Sequence, residues 1–222
     1  MPKKHPPSPV TLFEHGDEHW YTQDGTFYVP SVSTVLSALK DGLEFVSPYD
    51  LKRAADRGIK VHKATEDLEA GKTLEKMFFT EQEWDMLGGF VSWHKVFQPT
   101  TVLSESRLAS KKLGFGGTLD RLYLLVEGNT LVDIKTTSTI YDKHWLQVAA
   151  YAKLAKEHGH KVERTAILRL TDRSKAKYQY EVHEDWTSDY KIFEKHLAVW
   201  KYLNADRQPK RSELPNTLSL HA

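Results

Sequence analysis

Residues 114–151 read GFGGTLDRLYLLVEGNTLVDIKTTSTIYDKHWLQVAAY, and the way this stretch folds decides how the rest of the chain is arranged. Residues 118–126 and 130–136 are rich in apolar and β-forming side chains and flank the turn formers Glu127, Gly128 and Asn129, which predicts a β-hairpin. Leu119, Leu122, Leu124, Leu125, Val132 and Ile134 place apolar groups on both faces of the two strands. That pattern predicts central strands covered on both sides rather than an exposed ribbon. Residues 141–157 then form a pattern that is apolar nearly all round, which predicts a buried helix.

Three charges interrupt this apolar hairpin. Side chains alternate along a strand, so Asp133 and Lys135 share a face. A two-residue turn at Glu127-Gly128 or Gly128-Asn129 sets Asp120 opposite Lys135 or residue 137, and so on that same face. A three-residue loop places it on the other face unless a bulge compensates. The alternative is a salt-bridged strand pair on an exposed sheet face. Against it, charges inside an apolar sheet are costly unless they are paired or hold a metal. Downstream, Gln147 and Tyr151 lie at i and i+4, on one face of the predicted helix.

Working outward, residues 102–109 make a further strand before the hairpin, and strands at 164–170 and 177–182 follow the helix, with a last helix at 186–203. Upstream, Ser47-Pro48 is an N-cap with proline in the first turn, opening a helix toward Leu68 with Gly58 as a candidate break. Thr80 and Glu83 form a capping box for a helix ending near Gln98-Pro99. Near the N-terminus, His19-Trp20-Tyr21 and Thr26-Phe27-Tyr28-Val29 flank Gln23-Asp24-Gly25 as a hairpin, followed by a short helix around 35–39. The expected class is α/β, a central mixed sheet flanked by helices with an N-terminal β-hairpin.

The 222 residues suffice for one well-filled core. We expect a disordered lead at 1–9, one domain at 10–204 with its core at about 48–183, and a proline-containing tail at 205–222. A net charge of +1 exerts no global pull on nucleic acid, so any such binding needs local basic patches. The absence of cysteine excludes disulfides, thiolate zinc sites and iron–sulfur clusters. No run approaches the roughly 20 apolar residues of a membrane span, and MPKKHPPSPV lacks the apolar core of a signal peptide. A cytoplasmic protein without membrane contact is the expectation.

GGTLDR, LVDIKT and QVAAY, preceded by RGIKVHKATE, occur in an order that resembles the PD-(D/E)XK nuclease superfamily, above all its RecB-like and phage-encoded exonuclease branch. PSVSTVL after the first hairpin is similar to phage-type members as well, with less diagnostic weight. The resemblance covers about residues 57–170 and implies a restriction-endonuclease-like core. It implies Asp120 and Asp133 as metal-binding carboxylates, with His62 and the Ile134 carbonyl as further ligands. Lys135 would position the attacking water, and Gln147 and Tyr151 would orient the water, the lysine or a phosphate. Oxygen-rich ligation with one imidazole suits Mg²⁺ or Mn²⁺. The implied activity is metal-dependent hydrolysis of DNA phosphodiesters, as an exonuclease in phage or bacterial recombination, repair or processing, with recombination or replication proteins as partners. The alternatives are a structure- or sequence-selective endonuclease and a catalytically silent DNA-binding scaffold.

Other residues carry weaker signals. Glu66 lies one turn beyond His62 and either supports the site or is a solvated helix acid. Glu105 is either a site acid or the partner of Arg107 or Lys111. Arg53 and Arg57, with Lys52 and Lys60 beside them, and Lys111, Lys112 and Thr136 are candidates for contacts with DNA phosphates. His15-Gly16-Asp17-Glu18-His19 has no glutamate after its first histidine and precedes a hairpin, so it is not a zinc motif. Trp20, Tyr21, Phe27 and Tyr28 are expected to pack inward rather than to stack on bases.

Overall fold

Val132 and Ile134 point to one side of the hairpin and Leu131 to the other, and a separate core forms on each side. The computed structural model describes residues 9–16, 18–23, 25, 27–39 and 47–209. Residues 1–8 of the expected lead, 210–222 of the expected tail, and Asp24 and Thr26 at the first hairpin lie outside the described residues.

The main sheet has five strands in chain order: β4 (Thr100–Ser110), β5 (Phe115–Leu125), β6 (Gly128–Lys135), β7 (Arg164–Leu170) and β8 (Tyr178–His183). All neighbours are antiparallel except β6 and β7, which run parallel and are joined through the helix α4 (Asp142–Glu157). On one face, α2 (Pro48–Glu69) and α3 (Glu81–Phe97) pack Val61, Leu87, Phe90 and Trp93 on Tyr123, Val132, Ile134 and Leu168. On the other, α1 (Val32–Leu36), α4 and α5 (Trp186–Leu203) enclose Leu119, Leu122, Leu131 and Ile167. The architecture is a mixed α/β sheet flanked by helices. Among the described residues no helix is long and apolar enough to cross a membrane.

The helix signals act as anticipated. Ser47 accepts the Asp50 N–H at 3.1 Å, and α2 runs from Pro48 through Gly58 without a break. One helical glycine costs only about 1 kcal/mol, and Gly58 lies against Thr136, where a Cβ would stand at an ordinary 3.5 Å from Oγ1. Both hydrogen bonds of the Thr80–Glu83 capping box form. Gln98, the residue before Pro99, leaves the helix at φ 44°.

Besides the absent break at Gly58 and the short helix, which spans Val32–Leu36 rather than 35–39, two features depart from the sequence reading. The N-terminal hairpin is a three-stranded meander, because β1 (Val10–His15) pairs with β2 (Glu18–Gln23), which pairs with β3 (Tyr28–Pro30). His15 and Gly16 fall at the β1–β2 connection, and Trp20 and Tyr21 are buried. The turn of the central hairpin is Val126-Glu127, not Glu127-Gly128 or Gly128-Asn129, since Leu125 pairs with Gly128 and Leu124 with Asn129. The Glu163 carboxylate lies beside this turn. It accepts the Asn129 N–H at 2.8 Å and approaches Gly128 so closely that a Cβ there would stand 2.5 Å from Oε2. Gly128 is thus a strand residue at φ 122°, a conformation glycine adopts readily and L side chains rarely do.

Candidate active site

The corrected turn still contains two residues, so regular alternation alone would set Asp120 opposite Asp133 rather than Lys135. Arg121 pairs with Val132, where the β5–β6 register ends. The alternation is nevertheless broken at this point. Leu119 and Leu122 belong to the same core although they are three residues apart, so Asp120 and Arg121 together take an irregular step. Asp120 turns into the strand pair, and its Oδ2 accepts the buried Ile134 N–H at 2.7 Å.

Around this point the elements deliver the rest. From α2, His62 places Nδ1 3.6 Å from Asp120 Oδ2. From β6, Lys135 Nζ lies 2.8 Å from Asp133 Oδ2 and donates to Gln147 Oε1 of α4, also at 2.8 Å. Gln147 in turn donates to the Tyr151 hydroxyl at 2.9 Å. Asp120, Asp133, Ile134, Lys135, His62, Gln147 and Tyr151 are therefore brought together. On the Lys135–Gln147 side a cavity of about 340 Å³ adjoins them, bordered by Ser33, Ser37, Thr137 and His144.

Glu105 joins this group. His62, Glu105 and Asp120 each offer a ligand atom within 4.8 Å of the other two. The partner of Glu105 is neither Arg107 nor Lys111 but Arg121, whose Nη1 donates to Oε1 at 2.7 Å. Glu105 reaches inward from a left-handed position at φ 44° on β4, a strand already irregular at Thr101/Leu103. Glu66 pairs with Lys63 at 3.1 Å and acts on Asp120 only through its charge.

Burial pushes Asp133, Asp120, Glu105, His62 and Tyr151 toward their neutral forms. Asp133, 1% exposed, rises to about 6; Lys135 pulls against the shift and Asp120 adds to it. Burial raises Asp120 against Lys135 and the Ile134 N–H, and raises Glu105 with help from Asp120. Burial and Lys135 lower His62. Burial also holds the Tyr151 phenol well above its usual range. A carboxylate cluster that is costly to charge is the donor set a divalent cation would stabilise. Asp133 Oδ2 is buried with the Lys135 ammonium nearby but without a hydrogen bond. His62, Glu105 and Asp120, with ligand atoms all within 4.8 Å of one another, combine two carboxylates with one imidazole, a donor set suited to Mg²⁺ or Mn²⁺. The donors fit such an ion.

The basic candidates do not converge in the same way. Arg57 is spent within the fold, on Gln82 Oε1 at 3.0 Å and the Thr136 carbonyl at 3.4 Å, while Thr136 itself is buried. Arg53 lies over the Tyr49 ring at 5.7 Å. Lys111 borders a cavity with Trp20 and Trp200, and Lys112 pairs with Glu157 at 3.5 Å. Both precede β5, whose start lies five residues, or roughly 16 Å, from Asp120.

The sequence reading overlooked Arg121, Glu69 and Thr65. Arg121 is wholly buried and donates from Nε to Glu69 Oε2 at 2.5 Å. Two signals were available: an arginine among leucines in a central strand must have buried partners, and His62, Thr65 and Glu69 share a helix face at i, i+3 and i+7.

No family model and no curated protein matches the chain. Among solved structures it is similar to LHK-Exo, described as an alkaline exonuclease from Laribacter hongkongensis. The structure of that protein in complex with dAMP is 11% identical with a TM-score of 0.47, covering 81% of this chain and 89% of that chain. A second LHK-Exo structure is also 11% identical, with a TM-score of 0.38 and coverages of 79% and 91%. At this identity and TM-score the likeness bears on no residue of the site.

Proposed function

We propose that the chain is a divalent-metal-dependent nuclease that hydrolyses DNA phosphodiesters, acting as an exonuclease in phage or bacterial DNA processing. The observation that carries this reading is the convergence of Asp120, Asp133 and Lys135 on one point, with Asp120 Oδ2 locked onto the Ile134 N–H. The motifs GGTLDR, LVDIKT and QVAAY support the family assignment and the exonuclease branch.

His62, Glu105 and Asp120, with Asp133 and the Ile134 carbonyl, would hold Mg²⁺ or Mn²⁺. Bound there, the ion supplies Lewis-acid stabilisation of negative charge building on phosphate oxygens. Lys135 provides the point cation. An ammonium has three donors; one is committed to Gln147, the charge faces Asp133, and a further N–H remains for the attacking water or a phosphate oxygen. Gln147 and Tyr151 act by fixing that ammonium, since the Tyr151 hydroxyl holds the Gln147 amide and the amide oxygen holds Lys135. Asp120 fixes the β6 backbone through Ile134, so ligand and strand geometry are coupled.

The test is a cleavage panel of end-labelled linear and closed circular DNA, single- and double-stranded, with Mg²⁺, Mn²⁺ or EDTA. Mononucleotide release from linear DNA, no nicking of circles and silence in EDTA are expected, with Lys135→Met inactive. Nicked circles would make it an endonuclease. Salt-sensitive DNA binding without cleavage in either metal would make it a silent scaffold and end the enzymatic reading.

A further inference from the structure

We propose that Arg121 is the positioning residue that fixes Glu105 against His62 and Asp120, and that it thereby sets the affinity of the site for a divalent cation. The proposal rests on the metal-dependent reading above. Its basis is the number and origin of the groups that one buried guanidinium holds. Nη1 donates both to Glu105 Oε1 at 2.7 Å and to the Asp120 carbonyl at 2.8 Å. Nη2 donates to Thr65 Oγ1 at 3.3 Å, and Nε to Glu69 Oε2 at 2.5 Å. The partners belong to three elements, α2, β4 and β5.

Each of the three clustered ligand candidates is one contact from Arg121. Glu105 is gripped through its carboxylate and Asp120 through its own carbonyl. His62 is reached through Thr65, whose hydroxyl donates to the His62 carbonyl at 2.7 Å. Glu69 is a strut and not a ligand, because its second oxygen is taken by the Tyr123 hydroxyl at 2.7 Å. The backbone of Glu105 shows what the grip achieves. A left-handed glutamate costs about 1–2 kcal/mol and persists only where its surroundings dictate it. Arg121 is the group that holds its side chain inward, using Oε1 and leaving Oε2 for a cation.

A lysine at this position keeps the charge but is a single point donor that cannot serve Glu69, Glu105, Thr65 and a carbonyl together. Arg121→Lys therefore separates geometry from charge. Mn²⁺ binding is to be measured by EPR on the full chain without DNA, well below its melting temperature. We expect Arg121→Lys to weaken Mn²⁺ roughly 10- to 100-fold, the range for groups that orient metal ligands. Leu168→Val, in the core behind the site, controls for general destabilisation and should bind Mn²⁺ as the wild type does. If Arg121→Lys does not fold, Thr65→Val and Glu69→Gln carry the test, each with several-fold weaker binding. Wild-type affinity in the folded members of this set overturns the proposal. No Mn²⁺ binding by the wild type overturns it together with the metal-dependent reading. Weakened binding in a wild-type background that binds Mn²⁺ but cleaves no DNA supports the role of Arg121 and removes only the nuclease assignment.

Discussion

Asp120 Oδ2 accepts the main-chain N–H of Ile134 at 2.7 Å, so a side-chain oxygen takes the place of a strand carbonyl at the centre of the sheet. On the proposed function the same carboxylate would do structural and chemical duty, and substitutions can separate the two. Asp120→Asn keeps an oxygen for the N–H and should fold nearly as the wild type. Asp120→Ala orphans a buried donor and should lose about 1–3 kcal/mol. Both should be inactive. Urea melts in EDTA beside cleavage assays check this, and equal stability of the two variants would show that the bond carries no weight.

Asp133 yields a pH prediction with a definite sign. Its carboxyl is pushed up to about 6 from an ordinary 3.8 by burial, net of the pull of Lys135. Between these values the folded protein binds the proton more tightly than the unfolded chain. The resulting stability is fully present below about pH 4 and is lost as pH rises through about 6. Asp133→Asn has no such loss, so in EDTA it should become more stable than the wild type across that window, by at most on the order of 3 kcal/mol. Cleavage at limiting metal should fall in the wild type as pH drops through about 6. A stability difference independent of pH would refute the assignment.

Gly117 offers a way to disturb the site without touching a charged residue. A Cβ there would stand 2.3 Å from Tyr151 Cε1, on the ring whose hydroxyl holds Gln147. Gly117→Ala must displace the ring and with it the Gln147–Lys135 contact. A 1 Å misplacement can cost about 100-fold in rate, so a loss of at least about tenfold in kcat is expected. Adding Tyr151→Ala should relieve the stability cost of Gly117→Ala, measured as non-additive melting shifts.

Metal binding should register in the fold itself. Mn²⁺ or Mg²⁺ at about 100 times its Kd should stabilise the protein by about 2.7 kcal/mol, reversed by EDTA. His62→Ala and Glu105→Gln should each reduce that gain, whereas Lys112→Ala should leave it intact. A thermal shift unchanged in Glu105→Gln would remove that residue from the ligand set.

Much of this was legible in the chain. The helix starts at Ser47-Pro48 and Thr80/Glu83 follow from local capping chemistry, and the buried α4 from its apolar periphery. The two glycines of GGTLDR have a tertiary explanation instead. Added Cβ atoms would collide with Tyr21 at Gly116 and with Tyr151 at Gly117, and neither neighbour is close in sequence.

By itself, then, the sequence determined the elements, their order and which charges must be buried, because caps and hydrophobic periods act within a few residues. Only the tertiary structure decided how those charges are partnered. The hairpin turn falls at Val126-Glu127, beside Glu163, which lies just before β7 and accepts the Asn129 N–H. The irregular step at Asp120-Arg121 sent the aspartate to Ile134 and the arginine to Glu69 and Glu105. Those pairings span 14, 52 and 16 residues. At such separations the partner is set by which strands and helices pack together, and no local pattern encodes it.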